Sequence, residues 1–254
     1  MARRGRLIAI EGASGSGKTT LVQAAARSLG WRPLAEAFDR LDPAPSLEFG
    51  SPRELLWLEA VLLTEEVHRY DEARRATARG ETVLADTGFL GPLTYTRGLA
   101  DLGRVPIATA RTVERTVRSL LRGGALGVPD LTVYLTTTVA ERRRRARSRG
   151  RRSSASLEAR HEAVGVIERR FFDEAFASAL PGRFRRLRAD GRPTDLARRL
   201  ETLVRTARPT PLSRTEALRL LARRRPPAGK DAVRASAPTV KKPTRPAPLP
   251  RDGR

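Results

Sequence analysis

The segment Gly12-Ala13-Ser14-Gly15-Ser16-Gly17-Lys18-Thr19 decides the fold of this chain, because it fits the phosphate-loop pattern G-x-x-x-x-G-K-[ST]. A short apolar run at residues 7–10 precedes the segment, and a helical pattern at 18–29 follows it. This context is required, since the loop must join a strand to the N-terminus of a helix. The segment therefore predicts a P-loop, in which backbone N–H groups surround the phosphates of a nucleoside triphosphate.

The residues of this loop have expected chemical roles. Glycines let the backbone wrap closely around a phosphate, and the following helix N-terminus adds partial positive charge. Lys18 is expected to reach the β- and γ-phosphates of ATP, and the hydroxyl of Thr19 to bind Mg²⁺, so ATP and Mg²⁺ are the predicted cofactors. The predicted ATP-binding residues are Gly12, Ala13, Ser14, Gly15, Ser16, Gly17, Lys18, Thr19 and Thr20.

Strand and helix patterns alternate along the rest of the chain. The predicted strands are residues 7–10, 33–35, 82–85, 131–135 and 184–187, and the predicted helices are 18–29, 52–79, 107–121, 139–147, 156–180 and 194–206. Such alternation predicts an α/β fold of three layers, in which helices cover both faces of a five-stranded parallel sheet. Ligands of these sheets bind at the carboxyl ends of the strands.

The composition of the 254-residue chain restricts its function classes. It contains no Cys, which excludes disulfides and thiolate metal sites and favours a reducing cytoplasm. No apolar run reaches membrane-spanning length, so we predict a cytoplasmic protein with no membrane partner. The formal charge of +22 favours an anionic partner, although only four of the 50 basic residues are lysines, and such an arginine excess is also typical of a GC-rich genome.

A change in composition near residue 207 predicts two regions, a domain at 1–207 and a tail at 208–254. The tail has a net charge of +10 and holds nine of the 18 prolines. A capping box predicts one short helix at 213–225, and the remainder of the tail is predicted to be disordered. A basic tail of this composition is predicted to bind nucleic acid or other polyanions weakly.

Over about residues 7–203, the chain resembles the thymidylate kinases and their deoxynucleoside kinase relatives. The segments that carry the resemblance by order and spacing are 7–21, 78–86, 94–99, 129–135, the arginine-rich 141–152, and 184–190. The resemblance implies a P-loop kinase that transfers the γ-phosphate of ATP to a nucleotide, a nucleoside or a similar small acceptor. It leaves a homodimer open.

The chain departs from the thymidylate kinases at three positions on the acceptor side. Thr87 stands where those enzymes have an Arg after the Asp of the third strand, and Leu34-Ala35-Glu36-Ala37 stands in place of Arg-Glu-Pro. The helix position at which they hold the acceptor's phosphate with an Arg falls near Glu65. Because the P-loop itself is intact, these departures favour a different acceptor, and a neutral molecule is one option.

Two carboxylates are candidate catalytic residues. Asp86 ends a strand predicted to lie beside the P-loop, where phosphoryl transfer needs a carboxylate to hold Mg²⁺ or its water. The alternative is an Asp that caps a turn. Glu36 ends the second strand, and the matching Glu of the deoxynucleoside kinases takes the proton of the acceptor hydroxyl. The alternative for Glu36 is an ordinary surface carboxylate.

The arginine-rich run at 142–152 predicts an anion nearby, because like charges at this density repel each other. A lid closing over ATP would bring arginines to the transition state, and Arg149, Arg151 and Arg152 around Gly150 are the candidate catalytic arginines. A nucleic-acid patch or biased composition is the alternative. His68 and His161 are isolated on predicted helices, and we interpret both as surface residues.

The sequence therefore predicts a P-loop kinase with a small-molecule acceptor, and it leaves two other classes open. One is a nucleic-acid-binding P-loop ATPase that grips phosphates with its tail and arginine cluster. The other is an ATP-binding protein without transferase activity, because the expected family arginines are missing.

Overall fold

The computed structural model describes residues 5–148, 155–177 and 182–207. The tail at 208–254 and the candidate lid residues Arg149, Arg151 and Arg152 lie outside these ranges, so what the sequence predicts for them stays a prediction. In chain order the described elements are β1 (Leu7–Glu11), α1 (Lys18–Leu29), β2 (Arg32–Leu34), a 3₁₀ turn (Phe38–Arg40), α2 (Pro52–Ala78), β3 (Val83–Asp86), α3 (Gly91–Asp101), α4 (Ile107–Gly123), β4 (Leu131–Thr136), α5 (Val139–Ser148), α6 (Ala155–Arg170), a π-helical turn (Phe171–Phe176), β5 (Phe184–Arg188) and α7 (Pro193–Thr206).

The five strands form one parallel sheet in the order β2-β3-β1-β4-β5. The first strand is therefore central, with β3 on one side and β4 on the other. Ile10 of β1 lies opposite Asp86 of β3 and opposite Val133 of β4. This order places the loop after β1 where the connections of the sheet turn in opposite directions, which is where ligands of open α/β sheets bind.

Two apolar layers form the core, one on each face of the sheet. Ile8 and Ile10 point toward the layer that contains Leu21 of α1 and Leu200 of α7. Val83 belongs to the opposite layer, which also contains buried residues of α2, α4 and the π-helical turn. Alternate strand residues point to opposite faces, so strands covered on both sides must be apolar throughout. The predicted three-layer α/β fold with a five-stranded parallel sheet is confirmed.

The helix α3 was not predicted from the sequence. Gly91, Pro92 and Gly98 are unfavourable in the interior of a helix, but Pro92 lies in the first turn, where its missing N–H has no helical partner to lose. Gly98 lies against Val164 of α6, and a Cβ atom at Gly98 would be 3.0 Å from the Val164 Cγ1 atom. Packing against α6 therefore stabilises α3 where the local sequence does not favour a helix.

The longest helix is α2, whose start is fixed by Ser51 and Pro52. The Ser51 side chain accepts a hydrogen bond from the backbone N–H of Glu54 at 3.2 Å, and Pro52 occupies the first turn. Within the described ranges, neither α2 nor any other helix is long and apolar enough to cross a membrane. The last turn of α2 lies at the amino end of β1, where the backbone N–H of Gly5 donates to the carbonyl oxygen of Thr77. Glu59 and Glu66, nearer the N-terminus of the helix, line the site described next.

Candidate active site

The P-loop has the backbone conformation that its glycines permit. Gly12, Gly15 and Gly17 have φ angles of 141°, 78° and 101°. At Gly12 a Cβ atom would lie 2.8 Å from the carbonyl oxygen of Leu135, so a larger residue would strain the backbone and also collide with β4. In the described structure, no side chain caps the N-terminus of α1, and its first turn contains no acidic residue. The loop and helix therefore present N–H groups to an anion.

Lys18 lies at the mouth of this loop. Its Nζ atom donates a hydrogen bond to the carbonyl oxygen of Gly12 at 2.8 Å. Burial lowers the pKa of Lys18, but nearby carboxylates, led by Glu36 and Glu168, raise it by more. The side chain is therefore held in its charged form, as the predicted contact with the β- and γ-phosphates requires.

Asp86 ends β3 next to the P-loop, as the sequence predicted. Its side chain is buried, and within the described residues its Oδ1 atom has no hydrogen-bond partner. A turn-capping Asp would accept a hydrogen bond through its side chain, so the capping alternative does not account for this oxygen. An unpartnered buried carboxylate oxygen fits a role as ligand to a cation or to the water around it.

The predicted metal residues are Thr19 in the first turn of α1 and Asp86. Among the described residues, no group of three or more His, Cys, Asp or Glu side chains is arranged to hold a metal ion. Mg²⁺ at phosphoryl-transfer sites takes one or two protein oxygens and completes its shell with phosphates and water. A hydroxyl and an unpartnered carboxylate oxygen suit that chemistry.

Arg69 of α2 holds the turn that follows Asp86. This arginine is fully buried, and its Nη2 atom donates to the carbonyl oxygens of Asp86 at 2.9 Å and Thr87 at 3.0 Å. Its Nη1 atom forms an ion pair with the buried carboxylate of Glu66. Thr87 has a φ angle of 64°, a conformation that is uncommon for a residue other than glycine. The guanidinium group of Arg69 therefore supports the backbone at Thr87, the position where the thymidylate kinases have an Arg.

Glu11 connects the end of β1 to the same turn. Its Oε1 atom accepts a hydrogen bond from the backbone N–H of Gly88 at 2.9 Å, and a Cβ atom at Gly88 would lie 2.5 Å from that oxygen. Burial raises the pKa of Glu11 to about 8, with a further contribution from Glu168. No role was predicted for Glu11 from the sequence, although this residue immediately precedes the P-loop.

A cavity of about 270 Å³, here called the acceptor cavity, opens beside Lys18. It is lined by Gly12, Ser14, Lys18, Glu36, Ala37, Phe38, Asp39, Leu47, Leu58, Glu59, Leu62, Glu66, Thr87, Gly91, Pro92, Thr94, Tyr95, His161, Val164 and Glu168. Glu36 is half-buried there, and burial raises its pKa while Lys18 acts in the opposite direction. Glu36 is therefore not an ordinary surface carboxylate.

Four acidic residues of this cavity were missed from the sequence, namely Asp39 of the 3₁₀ turn, Glu59 and Glu66 of α2, and Glu168 of α6. Glu59 is 1% exposed and Glu66 is 3% exposed. Burial raises the pKa of Glu59 to about 8 and that of Glu66 to about 7, although Arg69 lowers the latter. Both lie on the face of α2 that also buries Leu55 and Leu58, and acidic residues on an apolar helix face were the available signal.

The interpretation of His161 as a surface residue is wrong. Its side chain is half-buried, lines the acceptor cavity and contacts the Tyr95 ring edge-on, with ring centroids 6.1 Å apart. Burial lowers the pKa of His161. The interpretation of His68 is confirmed, because its side chain is 66% exposed. The sequence of α6 has no distinct apolar face, so it does not indicate that His161 points inward.

Glu65 does not line the acceptor cavity. Its carboxylate lies 2.6 Å from the Nε atom of Arg40 and 3.4 Å from the Nδ1 atom of His68. The side chain of the next residue, Glu66, faces the cavity instead. At the helix position where a phosphate-binding Arg was sought, α2 therefore presents a carboxylate.

A second cavity of about 640 Å³, here called the nucleotide cavity, lies on the other side of the P-loop. It is lined by Ser16, Gly17, Thr20, Leu21, Thr136, Thr137, Thr138, Glu141, Arg144, Arg145, Arg188, Ala189, Asp190, Gly191, Pro193 and Leu196. Its walls come from the P-loop, the N-terminal part of α5 and the loop after β5. The sequence predicted that these segments surround ATP.

Among the described residues of the arginine run, Arg145 donates a hydrogen bond to the P-loop. Its Nη1 atom donates to the carbonyl oxygen of Ser16 at 2.8 Å, and Nη2 donates to that of Ala189 at 2.9 Å. Its Nε atom donates a hydrogen bond to the carboxylate of Glu141. The hydrogen bonds that Glu141 accepts from Arg144 and Arg145 lower its pKa to about 2. The four-residue spacing of Glu141 and Arg145 was the signal that could have singled out this arginine.

Comparison with known families identifies the domain. A family model described as an AAA domain matches residues 7–163, which is more than half of the chain. The chain belongs to this family. The match begins at β1, contains the P-loop and the β3 turn, and ends within α6. No curated protein sequence matches the chain.

Solved structures of deoxyadenosine kinase from M. mycoides are similar to the AAA domain described here. The structure with the products dCMP and a flexible dCDP has a TM-score of 0.59 at 18% identity, and the match covers 78% of this chain and 98% of that one. The structure with bound dATP also has a TM-score of 0.59, at 17% identity, with 79% and 100% covered. The expected P-loop kinase fold, of the deoxynucleoside kinase type, is thereby confirmed.

Proposed function

We propose that the chain is an ATP-dependent kinase that transfers the γ-phosphate of ATP to a hydroxyl group of a small molecule. The observation that supports this most is the arrangement of two cavities on either side of one P-loop. The nucleotide cavity and the acceptor cavity meet at that loop, with Ser16 and Gly17 lining one and Gly12, Ser14 and Lys18 lining the other. A donor and an acceptor bound in this way lie on opposite sides of the phosphate being transferred.

The nucleotide side has the groups that the transferred phosphate needs. The N–H groups of the P-loop and of the first turn of α1 surround the phosphates, and Lys18 neutralises charge on the β- and γ-phosphates. Arg145 fixes the carbonyl of Ser16 and so holds the loop in shape. Thr19 and Asp86 would hold Mg²⁺, which would supply positive charge to offset the phosphate oxygens.

The acceptor side contains a base for the hydroxyl. Glu36 lies in the acceptor cavity with Lys18, and burial raises the pKa of its carboxyl group. A carboxylate with a raised pKa accepts a proton more readily near neutral pH, so Glu36 is the proposed general base. This is the role that the resemblance to the deoxynucleoside kinases implied.

The lining of the acceptor cavity argues against a phosphorylated acceptor. Lys18 is its single lysine or arginine among the described residues, and that side chain is directed to ATP in the proposed mechanism. Arg69 is close by, but it is engaged with Glu66 and the backbone after β3. A nucleoside or another alcohol is therefore a better acceptor than a nucleotide, in keeping with the deoxyadenosine kinases of similar fold.

An acceptor screen with γ-labelled ATP tests the proposal. Purified full-length protein is incubated with Mg²⁺ and with nucleosides, their monophosphates and other alcohols, and the labelled products are separated. A labelled small molecule is the expected result. Free labelled phosphate alone, rising when nucleic acid is added, would support the nucleic-acid-dependent ATPase instead.

A further inference from the structure

We propose that the acceptor is an alcohol that also carries a protonated amine, and that Glu59 binds its ammonium group. This inference rests on the proposed kinase function and specifies its substrate class. It comes from the charges of the acceptor cavity. The acidic residues that line the cavity are Glu36, Asp39, Glu59, Glu66 and Glu168, and within the described structure Lys18 is the one opposing lysine or arginine. A cavity of this composition attracts cations and repels phosphates and carboxylates.

Among the described acidic residues of the cavity, Glu59 is the one with a buried, unpartnered carboxyl oxygen. It is 1% exposed, and its Oε2 atom has no hydrogen-bond partner in the described part of the chain. Leu58 and Leu62 line the cavity beside it, so the carboxyl group has apolar neighbours. Burial therefore favours the protonated form of this carboxyl group in the empty cavity, and a cationic ligand that donates to it would stabilise the ionised form.

The other buried carboxylates near the cavity have partners or a role. Glu66 forms an ion pair with Arg69, Glu11 accepts the N–H of Gly88, and Glu36 is the proposed base beside Lys18. For Glu168, the positive charge of Lys18 opposes the effect of burial on its pKa. The pKa of Glu59, in contrast, is raised by burial with no opposing effect from a nearby cation. A ligand is the missing source of positive charge.

The spacing along α2 gives the approximate length of the acceptor. Glu59 and Glu66 are seven residues apart, which corresponds to two turns and about 10 Å along the helix axis. Glu66 pairs with Arg69, which also donates to the carbonyl oxygen of Asp86 at 2.9 Å, so Glu66 marks the end of the cavity where the hydroxyl is phosphorylated. The ammonium group is therefore expected about 10 Å from the reacting hydroxyl.

The high positive charge of the whole protein makes this preference easy to recognise. A chain with a formal charge of +22 attracts anions and repels cations in solution. Tighter binding of an ammonium compound than of its neutral counterpart must therefore come from a local site and not from the overall field.

The test uses three linear alcohols of equal length, about 10 Å long, whose far ends carry an ammonium group, a hydroxyl group or a carboxylate. Binding to the full-length chain is measured by calorimetry, with wild-type protein and with Glu59→Gln. Glu65→Gln is the matched control, because Glu65 is on the same helix but pairs with Arg40 outside the cavity. Circular dichroism confirms that each variant is folded.

We expect the ammonium alcohol to bind at least about tenfold more tightly than the diol, and the carboxylate to bind least. Glu59→Gln should remove the preference, and Glu65→Gln should keep it. The inference is overturned if the ammonium alcohol does not bind, if the diol or carboxylate binds as tightly, or if the preference survives in Glu59→Gln.

Transfer of label from γ-labelled ATP to the same three alcohols separates this inference from the proposed function. Ammonium-selective binding without a labelled product would leave the cation site in place and contradict the kinase. Labelled products without any preference for the ammonium compound would support the kinase and contradict the cation site.

Discussion

Arg69 of α2 donates a hydrogen bond from Nη2 to the carbonyl oxygen of Asp86 at 2.9 Å. This bond joins the long helix that lines the acceptor cavity to the strand end that carries the proposed Mg²⁺ ligand. The same arginine is paired with Glu66, a residue that lines the cavity. One buried guanidinium group therefore links the end of β3 to the wall of the acceptor cavity.

Replacing Arg69 should destabilise the domain strongly. In Arg69→Met, Glu66 loses its buried partner and the carbonyls of Asp86 and Thr87 lose their donor, so the free energy of unfolding should fall by about 3–5 kcal/mol. Arg40→Met is the matched control, since Arg40 also bridges two glutamates but is partly exposed, and it should cost about 1 kcal/mol or less. Denaturant unfolding followed by circular dichroism measures both, and equal losses would contradict the account of Arg69.

The lining of the acceptor cavity predicts how well the nucleotide dTMP serves as an acceptor. With Thr87 and the glutamates of α2 where phosphate-binding arginines were expected, dTMP should be a poor acceptor because its phosphate meets carboxylates. Steady-state kinetics with dTMP should give a kcat/KM below about 10⁴ M⁻¹s⁻¹, the lower end of the usual enzyme range. A value at or above that level would show that the cavity accepts a phosphate after all.

The burial of Glu59 predicts how stability changes with pH. The pKa of Glu59 is raised in the folded chain from 4.5 to about 8, so the folded state binds this proton more tightly than the unfolded state. The resulting stabilisation is complete below the unfolded pKa and is lost as the pH rises through the folded pKa. Unfolding of wild-type protein and Glu59→Gln should be compared at several pH values between about 4.5 and 8. Wild-type stability should decrease more steeply, by a few kcal/mol, and parallel profiles would contradict the assignment.

The five strands and most of the helices, in their order along the chain, could be predicted from the sequence, because apolar strands and amphipathic helices are local patterns. The P-loop was recognised for the same reason, as was Asp86 at the end of a strand. The inward-facing carboxylates of α2 could not be placed, since the face on which Glu59 and Glu66 lie depends on how that helix packs. The same reason applies to His161, whose environment is made by α3, a helix that only tertiary contacts revealed.

The arginine run shows a second limit of sequence reasoning. Its density predicted an anion, but the contact between Arg145 and the P-loop depends on the angle at which α5 leaves β4. The candidate lid residues Arg149, Arg151 and Arg152 lie outside the described residues and keep their predicted role. A pattern of charges identifies a region, whereas the residue that touches the site is fixed by geometry.

The division of the chain at residue 207 predicts that catalysis does not need the tail. All the described lining residues of the two cavities lie before that position, so a chain ending at 207 should keep ATP turnover within about threefold, or about 0.65 kcal/mol of barrier. Nucleic-acid binding at low salt should weaken in the same variant, because 208–254 carries a net charge of +10. Loss of turnover in a folded truncated chain would show that the tail belongs to the active site.

The most direct test of the kinase proposal is the transfer of γ-labelled phosphate by wild-type protein and by Lys18→Ala. Lys18 carries the charge placed against the β- and γ-phosphates, and its removal should lower the rate of product formation by at least about a hundredfold in a folded protein. A labelled small-molecule product from wild-type protein that is lost in Lys18→Ala is the predicted result. Turnover in Lys18→Ala close to that of wild-type protein would contradict the account.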